Sequence, residues 1–228
     1  RPTKAPRHHL SPPGGTVRAP AAGIATGAYT APDLHPTLTN RYFPVLSNSI
    51  VTRPLTPEEL AATNFLTREA ITDTRTLRFY YRLLPDNRVQ IGSRSSITGA
   101  DAHRESHYRL LTEGLARKFP ALKGIQIDHS WWGWVDVSHD MMPRVMQPDA
   151  KQQVFYALGY GGNGVSFSAH AGRRMAQRIA GQPDPTFDLL PIYRDALPFP
   201  AQGEWAAPFR RFGQSFLYKW YWLRDEIL

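Results

Sequence analysis

The stretch that most restricts how this chain can fold runs from Val154 to Gly181, VFYALGYGGNGVSFSAHAGRRMAQRIAG. Val154 to Leu158 is an unbroken apolar run of strand length. Four glycines follow at 159, 161, 162 and 164, and they permit backbone angles and close approaches that a Cβ forbids. A helix is then expected from about Val165 to Gly181, with Asn163 or Ser166 capping its start, Gly181 its C-terminal cap and Pro183 beyond. Ala169, Gly172 and Ala176 recur at i, i+3 and i+7, a small-residue stripe suited to close packing on a sheet. Arg173, Arg174 and Arg178 fall mostly off that stripe and are expected in solvent.

A strand, a glycine loop and a helix in this order point unpaired N–H groups and the positive end of a helix at whatever lies above the glycines. No Lys-Ser or Lys-Thr follows the last glycine, so this is not a phosphate loop of the Walker type. The spacing also departs from G-x-G-x-x-G followed by an acidic residue about twenty positions on. From spacing alone the ligand is an anion or a polarised heterocycle; the alternative is a tight turn without a ligand.

The remaining chain alternates strand and helix signals. Residues 1–22 are rich in Pro, Gly, Arg and His and read as loop. Gly23 to Tyr29 reads as a buried strand entering a turn, and Val45 to Thr52 as a strand stopped by Pro54. Thr56 and Pro57 suit the cap and first position of a short helix. Leu77–Leu84 and Arg88–Ile91 flank the turn residues Pro85-Asp86-Asn87, a hairpin. Residues 103–119 form an amphipathic pattern closed by Pro120. Ile125–Val137 reads as a strand interrupted at Gly133, and a late helix is expected near Ser215–Glu226.

Composition narrows the class. The 228 residues, 42% hydrophobic and 12% aromatic, suffice for a real core. Cysteine is absent, which excludes disulfides, thiolate metal sites and thiol nucleophiles and suits a reducing cytoplasm. Lysine stands only at positions 4, 118, 123, 151 and 219, so arginine supplies 22 of the 27 basic residues behind the net charge of +8. The arginines are scattered rather than lined along one face, which argues for an anionic small ligand over nucleic acid. No eighteen-residue apolar window marks a membrane span, and no membrane partner is expected. Residues 1–10 carry no secretory signal, and with no initiator Met the chain is expected to start inside a longer reading frame. The histidines show no metal-binding spacing, so no metal is expected.

Gly159-Tyr160-Gly161-Gly162-Asn163-Gly164-Val165, followed by a small-residue helix, resembles the C-terminal flavin-contacting motif of the D-amino-acid oxidase superfamily of FAD-dependent oxidoreductases. Ile24-Ala25-Thr26-Gly27-Ala28-Tyr29 is similar to the strand end by which that family's FAD domain approaches its cofactor, with Thr16–Ala19 at the place of the preceding strand. Trp132-Gly133 and Asp140-Met141-Met142-Pro143 resemble the segment that re-enters the FAD domain. The nearest branch is that of glycine oxidase, sarcosine oxidase and gamma-glutamylputrescine oxidoreductase, and the resemblance covers about residues 14–181.

The resemblance implies an α+β fold: a mixed-sheet substrate domain (46–137) flanked by returning FAD-domain segments (1–45 and 138–181), then a tail (182–228). The ADP-binding βαβ unit of the family has no counterpart here, so a missing N-terminal half is the implied partner. The implied activity is oxidation of the C–N bond of an amine or amino acid, with a hydride passing to a non-covalent FAD. Ala25, Thr26, Gly27, Gly161, Gly162, Asn163, Gly164 and Val165 are the implied cofactor contacts. Tyr81 and Arg82, for a substrate carboxylate, and Trp132, for an amine, are the implied catalytic group, against core packing for the aromatics and solvent for the arginine; strand alternation turns Tyr81 opposite to Tyr80 and Arg82. Asp140 reads as a structural residue bonding backbone N–H groups. A remnant without catalysis, folded only against a partner, is the rival reading; an anion- or nucleic-acid-binding module is a third.

Overall fold

The computed structural model describes residues 8–31, 33–39, 41, 43–94, 96–182, 184, 185, 190, 192 and 209–227. In chain order the elements are β1 (His8–Leu10), β2 (Val17–Ala19), β3 (Ala22–Ile24), β4 (Phe43–Thr52), α1 (Pro57–Thr63), β5 (Ile71–Thr72), β6 (Tyr80–Leu83) and β7 (Val89–Arg94). They continue with α2 (Glu105–Lys118), β8 (Ile127–Val137), β9 (Arg144–Met146), β10 (Val154–Leu158), α3 (Gly164–Ile179) and α4 (Arg210–Glu226). The architecture is a mixture of sheet and helix. None of the described helices is long and apolar enough to cross a membrane.

The chain divides into two compact units, Arg1–Pro44 with Val135–Glu204, and Val45–Trp134 with Trp205–Leu228. In the first unit β10 is the middle strand of the order β3-β10-β9, parallel to β3 and antiparallel to β9. All five of its residues are buried, which is why it reads as an unbroken apolar run rather than an alternating one. Val154, Tyr156 and Leu158 join Leu38 and Met146 in one cluster, while Val145 packs against α3 in another. β1 and β2 pair antiparallel as a separate two-stranded sheet.

The face that α3 turns inward differs from the one its small residues suggest. Ala171 is buried, with Phe167 and Met175 packed beside it, whereas Ala169, Gly172 and Ala176 are exposed. Phe167, Ala171 and Met175 also lie at helical spacing and bury more apolar surface, so they decide the helix rotation. Arg174 and Arg178 are consequently half-buried rather than solvated, and Arg174 is ion-paired with Asp184.

The second unit is a five-stranded sheet in the order β5-β6-β7-β4-β8. Leu111 and Leu115 of α2, with Phe119 just beyond it, pack on Ile50, Phe79, Leu83, Val89 and Ile91. The helix lies close because Gly114 has no Cβ; one built there would stand 2.6 Å from the Phe79 ring. α1 opens with a full capping box, the Thr56 hydroxyl accepting from the Glu59 N–H and the Glu59 carboxylate accepting from the Thr56 N–H. β8 runs without a break through Gly133, contrary to the expected interruption. It is an edge strand, and a glycine there forgoes packing without preventing an extended backbone. α4 starts five residues earlier than Ser215; Asp225 accepts the N–H groups of Thr76 and Leu77, and Glu226 pairs with Arg75 and Arg117.

Candidate functional site

Because β3 and β10 are parallel neighbours in register, Ile24 opposite Tyr156, the segments that leave their carboxyl ends emerge on one side. Those segments are Ala25-Thr26-Gly27 and the glycine loop from Gly159 to Gly164. Ligands of open α/β sheets bind at such carboxyl ends.

The loop owes its shape to its glycines. Gly159, Gly161 and Gly162 have φ of 79°, 60° and 100°, a region that other residues adopt only under strain. A Cβ on Gly159 would come within 3.4 Å of the Met142 carbonyl oxygen, while one on Gly162 would meet nothing within 4 Å. Gly162 therefore borders open space. Asn163 occupies the N-cap of α3, but its side chain makes no cap hydrogen bond, and the Ser166 hydroxyl donates to the Asn163 carbonyl instead. The expected side-chain cap is thus not formed. The first N–H groups of α3, from Gly164 onward, keep no intrahelical acceptor, and the adjoining Val165 side chain is fully exposed.

One residue that motif reading passes over holds this region together. Asp136 is buried at the end of β8; its carboxylate accepts from the Gly159 N–H and, at 3.3 Å, from the Tyr160 N–H. Its carbonyl oxygen accepts from the Gly161 N–H at 2.8 Å. The same carboxylate lies 3.9 Å from where a Cβ on Gly27 would stand, so it also adjoins the turn after β3. A single acidic residue between Val135 and Val137, in a run turning wholly inward, was the available signal. On the β3 side Gly27 has φ 55°, and the Thr30 hydroxyl donates to the Gly27 carbonyl and contacts the Thr26 hydroxyl at 2.6 Å. Thr26 is therefore tied to its own turn.

Asp140 also has a structural setting. Burial pushes its carboxyl upward, but bonds from the Arg144 guanidinium, the Met142 N–H and the Ser138 hydroxyl outweigh that and hold it at about 2. Arg144 is itself buried and also donates to the Met142 and Pro143 carbonyls.

In the second unit the strand alternation separates the expected pair. Tyr81 lies on the α2 side, its ring against Phe65 and Phe119 and under the Lys118 ammonium, 4.9 Å from the ring centre. Arg82 is on the opposite face, exposed, with its Nε donating to Gln90. Tyr80, not Tyr81, shares that face; its hydroxyl stands 2.6 Å from Ser47 Oγ and 3.2 Å from Ser49 Oγ. The parity is fixed by Leu83, which pairs with buried Val89 and leaves Tyr81 facing the core. Gly92 makes room for the Tyr80 ring, since a Cβ there would overlap it at 2.3 Å.

Of the three tryptophans, Trp131 and Trp132 border one cavity and Trp134 lies elsewhere. Trp132 donates its indole N–H to His103 Nε2 at 3.1 Å and borders a cavity of about 390 Å³ with Asn48, Tyr108 and Trp131. Trp134 lies 5.3 Å below the Arg211 guanidinium. Among the described residues no cluster of His, Asp and Glu stands close enough to hold a metal ion.

Residues 4–178 match the family described as FAD dependent oxidoreductase. The chain is 31% identical to gamma-glutamylputrescine oxidoreductase of Escherichia coli over 93% of its own length and 47% of that relative's. It is 29% identical to a probable oxidoreductase, OrdL, of Haemophilus influenzae over 69% of the chain and 35% of the relative. The chain thus spans about half the length, or less, of these curated relatives. Among solved structures, glycine oxidase from Geobacillus kaustophilus aligns with a TM-score of 0.65 at 22% identity, over 80% of this chain and 47% of that one. L-proline dehydrogenase from P. horikoshii aligns with a TM-score of 0.64 at 16% identity, over 82% and 49%. At these identities the structural likeness speaks for the fold.

Proposed function

This chain belongs to the family of FAD-dependent oxidoreductases, and on that premise we propose that it carries the flavin-ring side of an enzyme that oxidises the C–N bond of an amine or amino acid. The observation that carries the reading is the open glycine shelf at Gly162, placed just before the start of α3 and beside the turn Ala25–Gly27. A planar heterocycle with an electron-rich edge fits a surface that offers unpaired N–H groups and no Cβ. Bound there, FAD would supply a hydride acceptor for the carbon that bears the substrate nitrogen.

The residues of the chain supply position and charge. The first N–H groups of α3, at Gly164 and Val165, would hold the edge of such a heterocycle, which gains charge on reduction. Asp136 keeps the loop in the conformation that presents them, and Gly27 lets the neighbouring backbone come near. On the open face of the second unit's sheet, the exposed Arg82 fork is suited to a substrate carboxylate, with the Tyr80 hydroxyl on the same face. Trp132 is the candidate aromatic contact for an amine in its own cavity. The dinucleotide-phosphate half of the family fold has no counterpart among these elements, so we assign it to residues outside this chain.

Two measurements test the reading. Purified alone, the 228-residue chain should carry no stoichiometric flavin; one FAD per chain would overturn the assignment of the phosphate half elsewhere. In an assembly completed by that half, Gly164→Val should strip flavin while leaving the melting temperature within a few degrees, because a Cβ at 164 meets only Tyr160 carbons at ordinary distance, 3.8 Å or more. Full flavin occupancy and normal flavin reduction in that variant would remove the shelf from the cofactor site. A completed assembly that binds no flavin at all would favour the remnant without catalysis.

A further inference from the structure

α4 is amphipathic in the reverse of the usual sense. The side it turns toward its own unit is polar: Gln214 is buried, Tyr218 and Asp225 are half-buried, and Arg211 stacks on Trp134. The side it turns away carries Phe209, Phe212, Phe216, Trp220, Leu223 and Ile227 along the helix and its two caps. At 3.6 residues per turn these six fall within an arc of about 80°. Phe212 and Phe216 are 77% and 69% exposed, and Trp220 is half exposed. Chains that remain single in water seldom leave a contiguous aromatic stripe of this kind uncovered.

The charges around the stripe say what covers it. The two acids of the helix, Asp225 and Glu226, are drawn inward, to the Thr76 and Leu77 N–H groups and to Arg75 and Arg117. Lys219 and Arg224, both exposed, border the stripe on its two sides; Arg224 stands 3.8 Å from Asp225, whose carboxylate is itself turned inward, and both cations stay at the surface. Self-association through this stripe would set the same cations of two copies near one another. An anionic lipid surface complements both features at once, taking aromatic side chains at the headgroup boundary and cations at the headgroups.

We propose that α4 docks in the plane of an anionic lipid surface. Phe212, Phe216, Trp220 and Leu223 enter the boundary between headgroups and acyl chains, and the long stems of Lys219 and Arg224 reach back to the headgroups. The helix has 17 residues and lies on the surface rather than spanning it, so the lack of a spanning helix does not bear on the assignment.

The test mixes the full chain with sonicated phosphatidylcholine vesicles, with and without about a quarter phosphatidylglycerol, and measures sedimentation and tryptophan emission. The chain should pellet with the anionic vesicles about tenfold more than with the neutral ones, with blue-shifted emission that Trp220→Phe removes. Phe216→Glu with Trp220→Glu should lower binding about tenfold without moving the thermal melt, since both side chains point away from the unit. Should that variant melt early, Lys219→Glu with Arg224→Gln decides: Lys219 is exposed, Arg224 gives up only its 3.8 Å pair with Asp225, and the preference for anionic vesicles should be abolished. Failure of the native chain to pellet, or undiminished binding by a well-folded glutamate variant, overturns the proposal. So does a dimer in light scattering that the same substitutions split while no vesicles are bound; the stripe would then belong to a second copy.

Discussion

At the scale of single residues, what could be read from the sequence was whatever depends on backbone chemistry. The glycines at 159, 161 and 162 stand where positive φ is required, and the turn after β3 has its glycine at 27 for the same reason. Side-chain assignments were harder, because a strand pattern shows that neighbours face apart without showing which one faces the core. Tyr80 and Tyr81 are equally plausible as letters; the pairing of Leu83 with buried Val89 sorts them. Asp136 was invisible for another reason: a lone carboxylate in an apolar run has no spacing that announces its partners. Its role makes a sharp expectation. Asp136→Ala leaves the Gly159 and Tyr160 N–H groups without their acceptor, and should cost about 2 kcal/mol in chemical denaturation. Hydrogen exchange at Gly159–Gly161 should quicken more than in the β10 strand itself, whereas uniform quickening across the unit would reduce Asp136 to a packing residue.

At the scale of elements, long periodic segments were legible almost to their ends. α2 was expected over 103–119 and spans Glu105–Lys118, and the hairpin of β6 and β7 turns at its Pro-Asp-Asn segment with Asn87 at φ 62°. Rotation of a helix about its own axis was the property that periodicity left ambiguous. In α3 two stripes compete, and the larger side chains of Phe167 and Met175 win over the small ones. In α2 the opposite holds, since Gly114 allows the backbone to approach Phe79. Gly114→Ala is therefore a fair trial of packing against propensity. The added methyl favours the helix by about 1 kcal/mol but overpacks the ring contact by about 1–3 kcal/mol. A net loss of stability is expected, and Gly114→Ala with Phe79→Leu should recover part of it. A Gly114→Ala protein more stable than the parent would show that the helix can shift without cost.

At the scale of the whole molecule, each unit carries a described carboxyl held at about 2, far below its ordinary range. The Arg53 guanidinium and the Thr56 N–H hold Glu59 at about 2, and Asp140 stands at about 2 in the other unit. Groups depressed in this way contribute stability above their ordinary values, 4.5 and 3.8, and lose it as pH falls toward 2. The chain should thus lose stability across that window, and Glu59→Gln with Asp140→Asn should lower stability at neutral pH and flatten the acid limb of the melting curve. An acid limb of unchanged slope would mean that other groups set it. The division of the chain is also a statement about time. β3 at Ala22–Ile24 pairs with β10 at Val154–Leu158, so the first unit's central pairing closes around a loop that contains most of the second unit. A ribosome adding about 5–20 residues per second leaves β3 without its neighbour for roughly ten seconds. During that interval the hairpin of β6 and β7, with α2 and β4 near in sequence, has everything it needs to form. The glycine shelf, which exists only where β3 and β10 meet, is accordingly among the last parts of the molecule to be made.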